Sequence, residues 1–189
     1  MKNLWISIKF TLAMCVVLFV GYVLVLRLVA WVASPNDGEA ALVEYNGKVV
    51  GAANVGQAFT DSVYFWGRPS NVDYNGEGSG GSNKGTNNPE YLARVEERID
   101  AFLAAHPYLS REEVPAEMVT ASGSGLDPDI SPRGAEVQIR RVAEARGMSV
   151  EEVKRIVDSV TEGPWLGLFG TSKVNVLKLN VALDTAQNK

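Results

Sequence analysis

The segment Gly76-Glu77-Gly78-Ser79-Gly80-Gly81 has the GxGxxG spacing with which a strand-to-helix turn brings backbone N–H groups onto a pyrophosphate. That chemistry needs a strand before the first glycine and a helix opening on the last, whereas here Ser82, Asn83, Lys84 and Thr86 prolong a polar loop. Lys84-Gly85-Thr86 is no phosphate-binding loop either, because its lysine precedes the glycine and would not face the phosphate that the backbone cradles. A hydrolytic triad would have to recruit His106, the single histidine. It stands before Pro107 at an expected helix end, where an imidazole caps carbonyls. Metal chemistry lacks ligands: one histidine, one cysteine (Cys15) inside an apolar run, and the pair Asp127/Asp129. That pair reads as a turn leading into a helix capped by Asp129 or Ser131. The residue types point to no catalytic constellation and no metal site.

Phe10 to Leu26 is uncharged, and the apolar run continues past Arg27 to Val32. At ~1.5 Å per residue, residues 10–32 span about 34 Å, enough for a hydrocarbon core of roughly 30 Å. Arg27 can snorkel to the headgroups while Tyr22 or Trp31 sits in the interfacial belt. A cleaved signal peptide would have a shorter apolar core and a small-x-small cleavage site. The candidate triplets here carry Leu28 or Trp31 at the first position, or leave Pro35 beside the cut. The amino terminus, Lys2 and Lys9 precede the span and Asp37, Glu39 and Glu44 follow it. By the positive-inside rule, residues 1–9 are expected in the cytoplasm and the domain of residues 33–189 outside it.

That domain carries 15 Lys+Arg (18 less Lys2, Lys9 and Arg27) against 22 Asp+Glu, a charge of −7. Such a surface excludes nucleic acid as a partner and disfavours anionic lipid. It contains no cysteine, so packing alone must hold it.

Ala41–Tyr45, Asn46-Gly47 and Lys48–Val50 predict a hairpin closed by a type I′ turn. A strand is expected at Val63–Trp66, followed by a long polar loop over residues 67–88. Asn88-Pro89 opens a helix ending near His106, with Leu92, Val95, Ile99, Phe102 and Leu103 on its buried face. A second helix is predicted over Pro132–Arg146, with Ile139, Val142 and Ala143 inward. Ser149 and Glu152 cap a third that buries Val150, Val153, Ile156, Val157 and Val160. Alternation of Leu177, Leu179, Val181 and Leu183 with Lys178, Asn180 and Asp184 predicts a closing strand over Val174–Leu183. The fold class is α+β: one N-terminal transmembrane helix followed by one compact mixed α/β extracytoplasmic domain.

The order of the loop residues resembles the KdpC family, the C subunits of the bacterial Kdp potassium-transporting P-type ATPase. Gly56-Gln57-Ala58-Phe59-Thr60, Tyr64-Phe65-Trp66-Gly67-Arg68-Pro69-Ser70 with Tyr74, and Ser79-Gly80-Gly81-Ser82-Asn83 with Asn88-Pro89 carry the resemblance. So do Val119-Thr120-Ala121-Ser122-Gly123-Ser124-Gly125-Leu126-Asp127 and the run from Val174 to Asp184. The departures, Asn71–Glu77 and Lys84-Gly85-Thr86, lie between these motifs.

The resemblance implies a non-catalytic, accessory subunit in the cell inner membrane. A channel-like partner subunit handles K⁺, a P-type ATPase partner subunit hydrolyses ATP, and this chain stabilises or tunes their assembly. The family is also described as a catalytic chaperone that raises the ATPase subunit's affinity for ATP, which suggests ATP binding. An extracytoplasmic domain, however, would have no ATP to bind. The candidate contact or regulatory residues are Arg68, Ser79, Gly80, Gly81, Ser82 and Asn83 on one side, and Thr120, Ser122, Gly123, Ser124, Gly125 and Asp127 on the other. The alternative is a solitary membrane-anchored extracytoplasmic protein that captures a small polar ligand between Arg68 and the Ser79–Asn83 loop.

Overall fold

The computed structural model describes residues 2–187. Met1, whose amino group adds to the positive flank, and Asn188 and Lys189 at the end of the predicted domain lie outside them. The chain divides after Ala41 into two compact units. The first is dominated by one continuous helix, in which α1 (Lys2–Cys15) passes through a π-helical stretch (Val16–Tyr22) into α2 (Val23–Ala33). Its 32 residues are long and apolar enough to cross a membrane. Its side chains, bulky Leu, Val, Phe and Trp included, stand exposed on every side apart from a half-buried Cys15 and Ala30. A helix that is apolar all round and exposed along nearly its whole length suits hydrocarbon. Beyond Ser34 the backbone turns through left-handed Asn36 and Asp37 (φ 54° and 55°). Arg27 reaches forward over this turn to the Glu39 carboxylate (2.9 Å) and the Asp37 carbonyl (3.3 Å).

The second unit opens with the predicted hairpin, β1 (Leu42–Tyr45) and β2 (Lys48–Ala52), paired antiparallel. Asn46 and Gly47 at its tip take φ 51° and 72°, the two positive values that a type I′ turn needs. Residues 53–88 contain no helix or strand. Then come α3 (Pro89–Ala105), β3 (Asp129–Ile130), α4 (Pro132–Glu136), α5 (Ile139–Arg146), α6 (Val150–Val160), β4 (Thr161–Glu162), β5 (Lys173–Asn175) and α7 (Val176–Gln187). The last three strands form a small antiparallel sheet in the order β3-β5-β4.

Asn88, Ser131 and Ser149 cap their helices as the sequence predicts, each side chain accepting a hydrogen bond from the N–H three residues on. The core joins Phe102 of α3, Val142 of α5, Val153 of α6, Val174 of β5 and Leu179 and Leu183 of α7 around Phe65. Leu92 and Val150, placed inward by the periodicity, are exposed, because each stands in the first turn of its helix before that helix reaches the core.

Three predicted elements differ, each for an identifiable reason. The expected closing strand stops at Asn175, where helix α7 begins. The Asn175 side chain accepts from the Lys178 N–H (3.0 Å) as a helix cap, and the buried Val176, Leu179, Asn180 and Leu183 follow helical spacing. The alternating pattern had put Asn180 on the solvent side, yet it is 2% exposed. The helix predicted over Pro132–Arg146 breaks between α4 and α5. There the Tyr108 hydroxyl donates to the Val137 carbonyl (2.8 Å) and accepts from the Arg141 N–H (3.2 Å), inserting itself into what would be an i to i+4 bond.

Val63–Trp66 is not a strand, because helices satisfy its backbone through side chains instead of a ladder. Asn180 bonds both the N–H (2.8 Å) and the carbonyl (3.0 Å) of Phe65, and Gln138 bonds both the N–H (2.8 Å) and the carbonyl (3.1 Å) of Trp66. Arg141 donates to the carbonyls of Ser62 and Tyr64, and Arg146 to that of Val63. Four polar side chains therefore replace neighbouring strands. The clamp drives Phe65 to full burial, worth roughly 1.5–3 kcal/mol. It also fixes the direction in which Gly67 and Arg68 leave the core.

Candidate functional site

Arg68 sits just past the clamped segment. Its Nη1 donates to the Asp127 carboxylate (3.0 Å), and the other oxygen of Asp127 accepts from the Asp129 N–H (3.1 Å). The Tyr74 hydroxyl donates to the Arg68 carbonyl. Burial, with Asp127 nearby, raises the Tyr74 pKa, so the phenol keeps its proton for that bond.

The two halves of the predicted site meet here. Ser70 Oγ donates to the Gly125 carbonyl (2.7 Å) and accepts from the Val72 and Tyr74 N–H groups. The Gly125 N–H donates to Ser122 Oγ (2.9 Å), and the Ser122 N–H to the Pro69 carbonyl (3.2 Å). Ser79 Oγ (3.0 Å) and the Gly80 N–H (2.8 Å) both reach the Ser124 carbonyl. The Gly56 N–H donates to the Leu126 carbonyl (2.8 Å), so all four loop motifs share one hydrogen-bonded cluster.

Close approach explains two of its glycines. A Cβ on Gly56 would lie 2.5 Å from the Asp127 carbonyl oxygen. Gly125 has φ +70° and would bring a Cβ to 2.6 Å from Val72. Gly123 has open space and Gly81 only a moderately close Gly123 carbonyl at 3.1 Å. Thr120 stands apart, its hydroxyl donating to the Ala116 carbonyl one turn earlier (2.7 Å). Among the described residues no hydrogen bond ties Ser82 or Asn83 to the cluster.

Beside the cluster is a cleft of about 310 Å³. Aromatic Phe59, Trp66, Tyr74 and Phe102 line it, with Arg68 and Arg98 at its polar side. Arg68 Nε is buried and has no hydrogen-bond partner, while Arg98 donates to the Val119 carbonyl at 3.3 Å. Burial and the neighbouring Arg94 lower the Arg98 pKa. Two guanidiniums on an aromatic wall suit a carbonyl or carboxylate carried on an apolar group. The Ser79–Asn83 loop does not line this cleft, so it is not the enclosure expected for a ligand between that loop and Arg68.

Sequence reasoning missed the support behind Arg68. His106 is fully buried, its Nδ1–H donating to the Phe102 carbonyl (2.7 Å) and its Nε2 accepting from Arg141 (2.9 Å). Burial first, and then the Arg141 charge, push its pKa down to about 4. The imidazole does cap a carbonyl, as expected, but it also props a buried guanidinium lying 4.2 Å from the Trp66 ring centre. Burial in turn lowers the Arg141 pKa to about 10, and the guanidinium stays charged with only neutral acceptors around it. The available signal was polar residues inside apolar helical stripes: Gln138 and Arg141 beside Ile139 and Val142, and Asn180 between Leu179 and Leu183.

One helix long and apolar enough to cross a membrane, ahead of a mixed α/β unit, fits a single-pass membrane protein. The model of the family described as "K+-transporting ATPase, c chain" (KdpC) matches residues 4–185. Proteins named potassium-transporting ATPase KdpC subunit are similar over nearly the whole chain. The one from Bacteroides fragilis is 64% identical over 191 residues, covering 100% of both chains. That from Phocaeicola vulgatus is 64% identical over 99% of this chain and 100% of its own, and that from Caldanaerobacter subterraneus 46% identical over 94% and 92%. The chain belongs to the KdpC family, subunits of a K⁺-transporting ATPase.

Proposed function

We propose that the chain is an accessory, non-catalytic subunit of an ATP-driven potassium uptake pump. It is held in the cell inner membrane by residues 10–32 with residues 1–9 in the cytoplasm, and residues 33–189 act outside on a P-type ATPase subunit and a channel-like potassium subunit. The observation that carries this reading is the convergence of the loop motifs: Gly56, Arg68–Ser70, Ser79–Gly80 and Ser122–Asp127 lie far apart in sequence and are bonded into one surface. That surface stands next to a cleft with an unpaired guanidinium N–H. The pairing of Arg27 with Glu39 supports the orientation. It neutralises the one positive charge at the far end of the span itself and leaves Lys2 and Lys9 as the net positive flank.

Such a subunit acts by binding one conformation of the pump better than another, which shifts their populations by the difference in binding free energy. In the proposed orientation cytoplasmic ATP does not reach the domain, so any rise in the ATPase subunit's affinity for ATP is transmitted by contact. The test is K⁺-stimulated ATP hydrolysis by the purified complex carrying Arg68→Lys or Asp127→Asn, alongside thermal unfolding of the chain. Impaired turnover of an assembled complex with an unchanged melting temperature supports the reading, and activity lost only in step with stability reduces the cluster to scaffolding. A reporter fused after Lys189 that is active in the cytoplasm would overturn the orientation and restore direct nucleotide binding as the better account.

A further inference from the structure

Between β4 and β5 the chain runs Gly163-Pro164-Trp165-Leu166-Gly167-Leu168-Phe169-Gly170 without a charged side chain. Trp165, Leu166, Leu168 and Phe169 are 70, 71, 81 and 60% exposed, so four large apolar side chains stand in water at one loop tip. The exposure is built in. The Trp165 N–H donates to the Phe169 carbonyl (2.8 Å), the Phe169 (3.0 Å) and Leu168 (3.1 Å) N–H groups donate to the Trp165 carbonyl, and the Gly167 N–H donates to that of Pro164 (2.9 Å). Leu166 takes φ 54°, a left-handed conformation that costs a leucine energy and brings it no packing partner here. The loop thus pairs the N–H groups of Trp165, Gly167, Leu168 and Phe169 within itself and turns its apolar side chains outward, which lowers the cost of entering a medium that offers few hydrogen bonds.

We infer that this loop dips into the interface of the membrane in which the chain is anchored. Its composition, one Trp, one Phe, two Leu and no charge, is that of interfacial anchoring segments. The span keeps the domain at a bilayer: eight residues separate Ala33 from Leu42, a tether of at most ~32 Å at about 3.5 Å per Cα step. A bilayer held that close needs no partner protein; the loop has no charged side chain, and its single side-chain hydrogen-bond donor, the Trp165 indole N–H, is the polar tip with which tryptophan sits at a membrane interface. The domain's charge of −7 repels anionic headgroups, so the attraction is apolar and insensitive to salt.

The test uses the full chain reconstituted in phosphatidylcholine bilayers, with Cys15→Ser and a nitroxide spin label on Leu168→Cys. Phe169→Cys is a second site, and Glu97→Cys on exposed α3 serves as the water-facing reference. Near-ultraviolet circular dichroism checks that each labelled chain is folded. The inference predicts that labels at 168 and 169 collide more with oxygen than with a water-soluble nickel chelate, the reverse of the ratio at 97, and that high salt leaves this unchanged. Collision ratios equal to those at 97 would overturn it. So would labels immobilised and shielded from both reagents, which would assign the loop to a contact between two copies of the chain.

Discussion

Acidification from pH 7.5 to 4.5 should destabilise the domain, and His106 should account for a separable share of the loss. Its folded pKa is about 4, against 6.5 for an ordinary imidazole, because it is buried and its Nε2 accepts from the charged Arg141. The fold needs the neutral imidazole. The stabilisation is therefore complete above pH 6.5 and lost as pH falls from 6.5 to about 4, where the unfolded chain takes a proton and the folded chain does not. The full shift of 6.5 − 4 is worth about 3 kcal/mol, most of which is lost by pH 4.5. Urea unfolding of the chain in mild detergent, followed by tryptophan fluorescence, reads this, since the Trp66 ring lies 5.6 Å from His106. Carboxylates titrate in the same window, so the comparison is with His106→Gln, which retains a donor and an acceptor and does not titrate. The native chain should lose about 2–3 kcal/mol more than His106→Gln between the two pH values. Equal losses would show that His106 protonates without cost in the folded state and would refute its buried role between Phe102 and Arg141.

Asn180→Leu leaves the N–H and carbonyl of Phe65 without partners and should cost about 2–4 kcal/mol in the same unfolding assay. A loss below about 0.5 kcal/mol would mean that the 62–66 segment is held some other way. Gly125→Ala meets both a positive φ and the Val72 side chain and should destabilise by roughly 1–3 kcal/mol, whereas Gly123→Ala, with open space around it, should be nearly neutral. Equal effects would contradict the loop packing. Arg68→Lys breaks a partly exposed ion pair and should cost only about 0–1 kcal/mol of stability, so a larger drop in pump turnover would report lost contact.

Local chemistry was the most legible level. Asn46-Gly47, Asn88-Pro89, Ser131-Pro132 and Ser149 mark a turn and three helix starts by side-chain and backbone rules that act within four residues, and all four hold. The misreadings arise where long-range hydrogen bonds override local pattern. Val63–Trp66 has strand composition, but its partners are Gln138, Arg141, Arg146 and Asn180, more than seventy residues away. The alternation after Val174 fits a strand until Asn180 is placed inside, and that placement depends on Phe65. Tyr108 breaks the 132–146 helix from outside it. The site residues were legible only as loops in a recognised order. That Arg68 pairs with Asp127, and that Ser70 and Ser79 pin the 122–127 loop, is a consequence of the clamp behind them. Ser82, Asn83 and Thr120 share the motif order without sharing the cluster.

The central claim is that this chain works as part of a potassium pump, and purification of the tagged full-length chain from its own membranes in mild detergent tests it most directly. The account predicts a complex of fixed stoichiometry that contains a P-type ATPase and a channel-like potassium subunit and hydrolyses ATP in response to K⁺. Recovery of the chain as a monomer, with those subunits assembled and fully active in its absence, would contradict it.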